Sequence, residues 1–210
     1  MSEGRPRLLI ATGSIHKFSE LRQLLDLAGV ELVSLSDVGL ADDAPEPGET
    51  FLENATTKAL HYAGLSGLPT LADDSGLDVD ALGGRPGVHT RRYAGPSATD
   101  EQNNTRLLAE LSGVAPAHRT ARYRCVLVFA QPRSADPPQV DAVTSGTFEG
   151  RIARAPRGSG GFGYDPIFEP STEPVDGRTV GEMTAAEKNA VSHRAQAARA
   201  MRELLAVLRP

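Results

Sequence analysis

Apolar residues fall along this chain in two rhythms: short unbroken runs that suit buried strands, and spacings of three and four that suit helices. Leu8-Leu9-Ile10-Ala11 is of the first kind and ends in Thr12-Gly13-Ser14. Phe18, Leu21, Leu24, Leu25 and Ala28 are of the second, predicting a helix with Ser14 as its N-cap and Gly29 as its stop. A second strand is expected over 31–34, followed by an acidic, proline-containing loop over 42–49. Thr50-Phe51-Leu52-Glu53 has the capping-box pattern. It opens a helix with Leu52, Ala55, Ala59 and Tyr62 on one side, Asn54, Lys58 and His61 on the other, and Gly64 at its end. Thr70-Leu71-Ala72 reads as a short strand that delivers Asp73, Asp74, Ser75 and Gly76 at its C-terminal end, with 77–82 as a possible continuation.

After the turn-rich Gly83-Gly84-Arg85-Pro86-Gly87, a second capping box at Thr99-Asp100-Glu101-Gln102 opens a helix with Leu107, Leu108 and Leu111 inward and Gly113 as its close. Ala121, Tyr123, Cys125, Leu127 and Phe129 alternate with polar residues and then run apolar, as a central strand would. A proline-rich turn over 132–138 follows, and 139–148 pairs back as a hairpin. This hairpin, about 119–150, is the best candidate for a second lobe. A glycine-rich loop spans 158–165, and a helical tail carries Met201, Leu204, Leu205 and Leu208. Strands mixed with helices in this order, without repeats, predict one α/β domain over 1–210 built on a mixed sheet.

Composition narrows the function. A chain of 210 residues buries about 70% of the surface its unfolded form exposes, so it needs neither disulfide nor structural metal, and Cys125 alone supplies neither. The longest apolar run, 125–130, is far below the roughly 20 residues that span a bilayer, and the first residues have no apolar signal core. A cytoplasmic protein without a membrane partner is expected. A net charge of −5 argues against a general nucleic-acid binder, so any phosphate site must be local. Only Lys17, Lys58 and Lys188 among the 22 basic residues are lysines. A lysine is a compact point charge suited to meeting a phosphate oxygen, although a leftover surface lysine is the simpler reading at Lys58.

Four segments carry candidate chemistry. Thr12-Gly13-Ser14-Ile15-His16-Lys17 lies between a strand and a helix, where free N–H groups and the helix dipole favour an anion. Lys17 in the first turn is badly placed for the dipole unless an anion is near. An ordinary capped helix is the alternative. Asp73-Asp74 would repel one another unless they share a cation, for which Mg²⁺ is the natural choice, with Glu46, Glu49 or Glu53 completing the acidic side. One carboxylate could instead orient an attacking water. Gly158 to Asp165 combines glycines with Phe162 and Tyr164, which could stack on a flat base or simply pack on the core. Thr184-Ala185-Ala186-Glu187 is a third capping box, followed at once by Lys188. On one straight helix Lys188 and His193 would lie about 140° apart, so a break is expected at Ser192. The break places His193 and Arg194 in a new first turn, where cations again call for an anion.

Taken together, "ATGSIHK", "ETFLENATTKA", "LADDSGLDVDALGGRPGV", "RYAG", "GGFGYDPIF" and "TAAEKNAVSHR" resemble, in order, the inosine triphosphate pyrophosphatases, or Ham1-like non-canonical purine NTP pyrophosphatases. The resemblance implies an elongated α/β fold with a mixed β-sheet, flanking helices and two lobes around a central cleft, acting as a homodimer. It implies Mg²⁺-dependent hydrolysis of ITP, dITP and XTP to the monophosphate and pyrophosphate. Carried over by position, Thr12, Gly13, Ser14, Ile15, His16 and Lys17 would hold the triphosphate. Asp74 would be metal ligand and proton acceptor, Glu46 a further metal-side carboxylate, and Ser75 a substrate contact. Phe162, Gly163, Tyr164 and Asp165 would frame the base, while Lys188, His193 and Arg194 would select 6-keto purines. Two residues depart from the family pattern: Ser14 stands where Asn is usual, and Pro45 precedes Glu46 where a second Glu is common. A nucleotide-binding module without turnover, and a phosphatase releasing orthophosphate, are the competing readings.

Overall fold

The computed structural model describes residues 5–40, 44–172 and 175–207. Asp42 and Asp43 of the predicted acidic loop, and Leu208 of the predicted tail, lie outside the described residues. Those residues form seven strands, β1 (Arg7–Ala11), β2 (Glu31–Val33), β3 (Thr70–Val79), β4 (Pro86–Gly87), β5 (Thr120–Gln131), β6 (Gln139–Ile152) and β7 (Phe168–Pro170). Five α-helices accompany them: α1 (Ile15–Leu25), α2 (Phe51–Ser66), α3 (Asp100–Glu110), α4 (Ala185–Val191) and α5 (His193–Val207). The strands make one sheet in the order β2-β1-β3-β5-β6-β7, with β4 paired to β3. β1 is parallel to both β2 and β3, whereas β4 on β3 and β7 on β6 are antiparallel. The α/β class with a mixed sheet is therefore as expected.

The chain divides into two compact units, one of residues 1–74, 125–145 and 194–210, the other of 75–124 and 146–193. Of the predicted hairpin, residues 119–124 and 146–150 fall in the second unit and 125–145 in the first.

The first unit has a core on each face of its strands. On one face Leu8, Ile10, Leu71, Cys125 and Leu127 pack with Leu21 and Leu25 of α1 and with Ala197, Ala198, Met201 and Leu205 of α5. On the other, Leu9, Ala11, Ala72, Val128 and Ala130 pack with Ala55, Ala59, Tyr62 and Ala63 of α2. Alternation along each strand, a period of two, assigns every side chain to one of these layers. The second unit has a single core that includes Leu77, Leu107, Tyr123, Phe148, Tyr164 and Phe168.

Helix starts follow the sequence closely, because each is a local hydrogen-bond pattern. Ser14 caps α1, and Thr50, Thr99 and Thr184 each complete a capping box. The stops differ. α1 ends with Asp26 in the left-handed region at φ 35°, ahead of the expected Gly29. α2 runs through Gly64 to Gly67, whose N–H bonds the carbonyl of Ala63 at 3.1 Å in a left-handed cap. A helix tolerates an interior glycine for about 1 kcal/mol, and the extra turn adds hydrogen bonds, the Ser66 hydroxyl donating to the Tyr62 carbonyl at 2.7 Å. Leu52, expected inward, is exposed, while Asn54 and Lys58 are buried. α3 closes at Leu111, before Gly113.

Gly150 of β6 faces Pro170 of β7, and a Cβ there would sit 2.4 Å from the Glu169 carbonyl oxygen and 2.5 Å from the Phe168 ring. Its backbone is ordinary, so the requirement is one of space alone. Gly150→Ala is expected to lower stability by about 1–3 kcal/mol, read as a lower urea midpoint with an unchanged slope; an unaltered midpoint would show that β7 yields freely.

Candidate active site

β3 is one strand of ten residues that carries Asp73, Asp74, Ser75 and Gly76 through its middle. The expectation of a strand end delivering a pair of neighbouring carboxylates to one cation is thus corrected. In a strand, consecutive side chains point to opposite faces. Asp73 follows Leu71 onto the α1/α5 layer and Asp74 follows Ala72 onto the α2 layer, so the two carboxylates find different partners, although the Asp73 charge still helps to push the Asp74 carboxyl up.

Asp73 has a side chain with no exposure to solvent. Lys17 Nζ stands 3.1 Å from its Oδ2 and Arg194 Nη2 3.5 Å from the same atom. Burial alone would raise this carboxyl, but Lys17 and Arg194 outweigh it and hold Asp73 well below the usual carboxylate range. Lys17 and Arg194 occupy the first turns of α1 and α5, where the helix dipole disfavours cations. The anion their placement called for is therefore present in the chain itself. Arg194, expected beside His193 as a reader of the base, is fully buried and also pairs with Glu20. In this structure its guanidinium serves the acidic centre, and the reason is that successive residues of a helix point in different directions.

Asp74 meets a different set. Lys58 Nζ lies 3.2 Å from Oδ1 and Asn54 Nδ2 donates to Oδ2 at 3.4 Å, both from α2. The same Lys58 ammonium reaches Glu46 at 2.9 Å. Burial pushes the Asp74 carboxyl up, against the opposing pull of Lys58 and Lys17. Asp73 is thus locked as an anion, while Asp74 is a buried carboxyl with raised proton affinity, the property of a proton acceptor. Asn54 and Lys58 escaped assignment as functional residues, although their four-residue spacing on one face of α2 and the scarcity of lysine were signals of it. His61, on the same predicted face, instead meets Tyr62 edge-on.

The loop before α1 takes the expected form. Thr12 Oγ1 accepts from the Ser14 N–H at 3.2 Å and Ser14 Oγ from the Lys17 N–H at 3.4 Å. Gly13, Ile15 and His16 are exposed, Thr12, Ser14 and Lys17 partly so. A partly exposed helix start with a lysine in its first turn is a setting that suits phosphate oxygens.

In the second unit the hub is Asp165, buried, with Lys188 Nζ 2.7 Å from Oδ2, the Phe162 N–H donating to Oδ2 at 2.9 Å and the Tyr123 hydroxyl donating to Oδ1 at 3.2 Å. Lys188 Nζ also lies 4.5 Å from the centre of the Phe162 ring. α4 ends and α5 begins at Ser192, as the spacing required, and His193 stacks on Tyr123. Gly163 is held by α3: its N–H donates to Asp100 at 2.6 Å and its carbonyl accepts from Asn104 at 3.0 Å. Tyr164 is a core residue whose hydroxyl donates to the Thr90 carbonyl at 2.8 Å, so of the loop's two aromatics Phe162 is the half-buried one. The loop glycines serve the chain's own contacts. A Cβ on Gly158 would fall 2.0 Å from the Gly181 carbonyl oxygen and one on Gly161 2.0 Å from an Asp165 carboxylate oxygen, both at positive φ. Ser75 is buried at the start of this unit.

Each of the three lysines therefore lies against a carboxylate, Lys17 on Asp73, Lys58 on Asp74 and Glu46, Lys188 on Asp165. Among the described residues no three His, Cys, Asp or Glu converge as a metal cage. The oxygen-only pair Asp74 and Glu46 is instead what Mg²⁺ uses when one or two carboxylates are joined by water and substrate phosphates. The donor chemistry fits such an ion.

The Ham1 family profile matches residues 8–204. The chain is 46% identical over 204 residues to a dITP/XTP pyrophosphatase of Methylococcus capsulatus, with 97% of this chain and 98% of that protein covered. It is 45% identical over 199 residues to a dITP/XTP pyrophosphatase of Escherichia coli K12, covering 95% and 98%. Among solved structures, a HAM1 protein from Coxiella burnetii has a TM-score of 0.82 at 39% identity, covering 96% of this chain and 98% of that one. The Staphylococcus aureus Ham1 protein has a TM-score of 0.81 at 32% identity, covering 97% and 100%.

The unequal settings of the two aspartates predict unequal costs. Asp73→Asn should destabilise by about 3–5 kcal/mol, because it strips a buried counter-charge from two cations. Asp74→Asn should cost about 1 kcal/mol or less, since its charged form is disfavoured and Lys58 keeps Glu46. Urea unfolding of both variants compares them, and equal losses would refute the assignment.

Proposed function

The chain belongs to the Ham1 family, and we propose that it hydrolyses the non-canonical purine nucleoside triphosphates ITP, dITP and XTP to the monophosphate and pyrophosphate, with Mg²⁺, so cleansing the nucleotide pool. The observation that carries this reading is the arrangement at β3, where Asp73 is paired with Lys17 and Arg194 while the buried Asp74 shares the Lys58 ammonium with Glu46. A mere binding module gains nothing from burying a second carboxyl beside the first.

Residues 12–17 take the triphosphate through backbone N–H groups, the Thr12 and Ser14 hydroxyls and Lys17. Asp74 accepts a proton from the attacking water, whose oxygen bonds to the α-phosphorus as the bond to the bridging oxygen breaks and pyrophosphate leaves. Lys58, between Asp74 and Glu46, keeps both carboxylates oriented. Asp74 and Glu46 would hold Mg²⁺, which when bound supplies positive charge to the phosphate oxygens. Positioning and charge carry most of such a reaction, with little covalent work for the protein. Lys17 and Arg194, by locking Asp73, fix the middle of β3 and with it the aim of Asp74.

At the base end Phe162 offers a flat face and Lys188 and His193 offer donors, with Ser75 a further contact. A 6-keto purine presents an acceptor where adenine presents an amino group, so adenine would leave buried donors unpaired at about 1–3 kcal/mol each. The enzyme is proposed to be one catalytic domain over 1–210, working in the cytoplasm as a homodimer on nucleotides rather than nucleic acid or membranes. The resemblance to the family and the net charge of −5 support this part. Among the described residues no helix is long and apolar enough to cross a membrane.

Asp74→Asn is expected to fold and to release pyrophosphate from dITP at least about tenfold more slowly. Near-parental turnover would remove Asp74 from the proton-accepting role. Chelation of divalent cations should abolish release. Product analysis should find pyrophosphate, and orthophosphate as the first product would make the protein a phosphatase.

A further inference from the structure

Tyr123 lies on β5 with its ring buried and was read from the sequence only as an inward-facing strand residue. It has two contacts that packing does not demand. Its hydroxyl donates to Asp165 Oδ1 at 3.2 Å, and Asp165 is the carboxylate that takes the Lys188 ammonium and the Phe162 N–H. Its ring is stacked on His193, with 4.8 Å between centres and 7° between planes, while Phe168 tilts against it at 4.7 Å and 53°. A buried tyrosine needs a partner for its hydroxyl, so a phenylalanine would have filled this core at less risk. The hydroxyl is spent on the one carboxylate that orients both Lys188 and Phe162.

We infer that Tyr123 is a specificity-determining positioning residue, setting Lys188 and Phe162 through Asp165 and His193 through its ring. The inference rests on the proposed roles of Lys188, Phe162 and His193 at the base. Tyr123 acts through these residues rather than on the substrate itself. It fixes in one rigid strand the relative placement of donors contributed by α4 and α5, so that a 6-keto purine meets them together. Losing the hydroxyl removes one of the donors that set Asp165 and so loosens the placement of Lys188. Losing the ring also frees the imidazole.

The test is steady-state pyrophosphate release from dITP and dATP with Mg²⁺ by the parent, Tyr123→Phe and Tyr123→Leu. Tyr123→Phe keeps the stack and should raise KM for dITP about tenfold, the size of one hydrogen bond to a charged acceptor, with kcat little changed and the dITP-to-dATP preference reduced. A rise in KM without loss of kcat marks lost binding rather than lost chemistry. Tyr123→Leu should lose more of the preference, the phenylalanine variant restoring the part due to His193. Parental KM and preference in Tyr123→Phe would overturn the inference, as would a lower melting temperature with KM unchanged, which is a packing role alone. Lys188→Ala and His193→Ala separate the two levels. If both retain the parental preference, the base-recognition reading itself falls. If both lose it while Tyr123→Phe keeps it, only Tyr123 is excluded.

Discussion

A carboxylate leaves water only if something replaces the hydration it gives up, and this chain meets that demand twice in adjacent residues. Asp73 and Asp74 sit in the middle of a strand buried along almost its whole length. The pleat sends them to opposite layers, where each finds its own cations. On one side the first turns of α1 and α5 supply Lys17 and Arg194; on the other the buried face of α2 supplies Lys58 and Asn54. The helices that form the first unit's two cores are thereby also the helices that charge-balance its acidic centre.

That arrangement explains how neighbouring, chemically identical side chains acquire different properties. Two cations against a fully buried carboxylate overcome desolvation, so Asp73 stays ionised. Lys58, shared with Glu46, and the pull of Lys17 do not, so Asp74 has a raised proton affinity. Separating two titratable groups by environment is how one fold gives two like carboxylates different proton affinities. It also accounts for cations at helix starts, where the dipole opposes them: their counter-ion comes from β3 and not only from a ligand.

In the second unit the same economy appears around Asp165, which collects an ammonium, a backbone N–H and a phenol hydroxyl. Gly158 and Gly161 of its loop are required because Gly181 and Asp165 pass within a distance that no Cβ would allow. Lysine, rare in this chain, is kept at the three places where a compact charge meets a buried or half-buried acid.

Helix starts, the first strand, the central hairpin, the break at Ser192 and the family itself were legible in the order of residues, because capping boxes, apolar runs and motif spacing are local signals. The candidate segments stood out by the same kind of local signal. Partnership was not. That β3 continues through Asp-Asp-Ser-Gly, that Arg194 turns onto Asp73 and Glu20, that Lys58 bridges Glu46 and Asp74, that Tyr164 belongs to the core and that Tyr123 joins Asp165 to His193 all depend on which elements pack together. Sequence spacing fixes the direction of a side chain within its own helix or strand. What it meets there is set by burial against elements distant in the chain, and only the folded arrangement decides that.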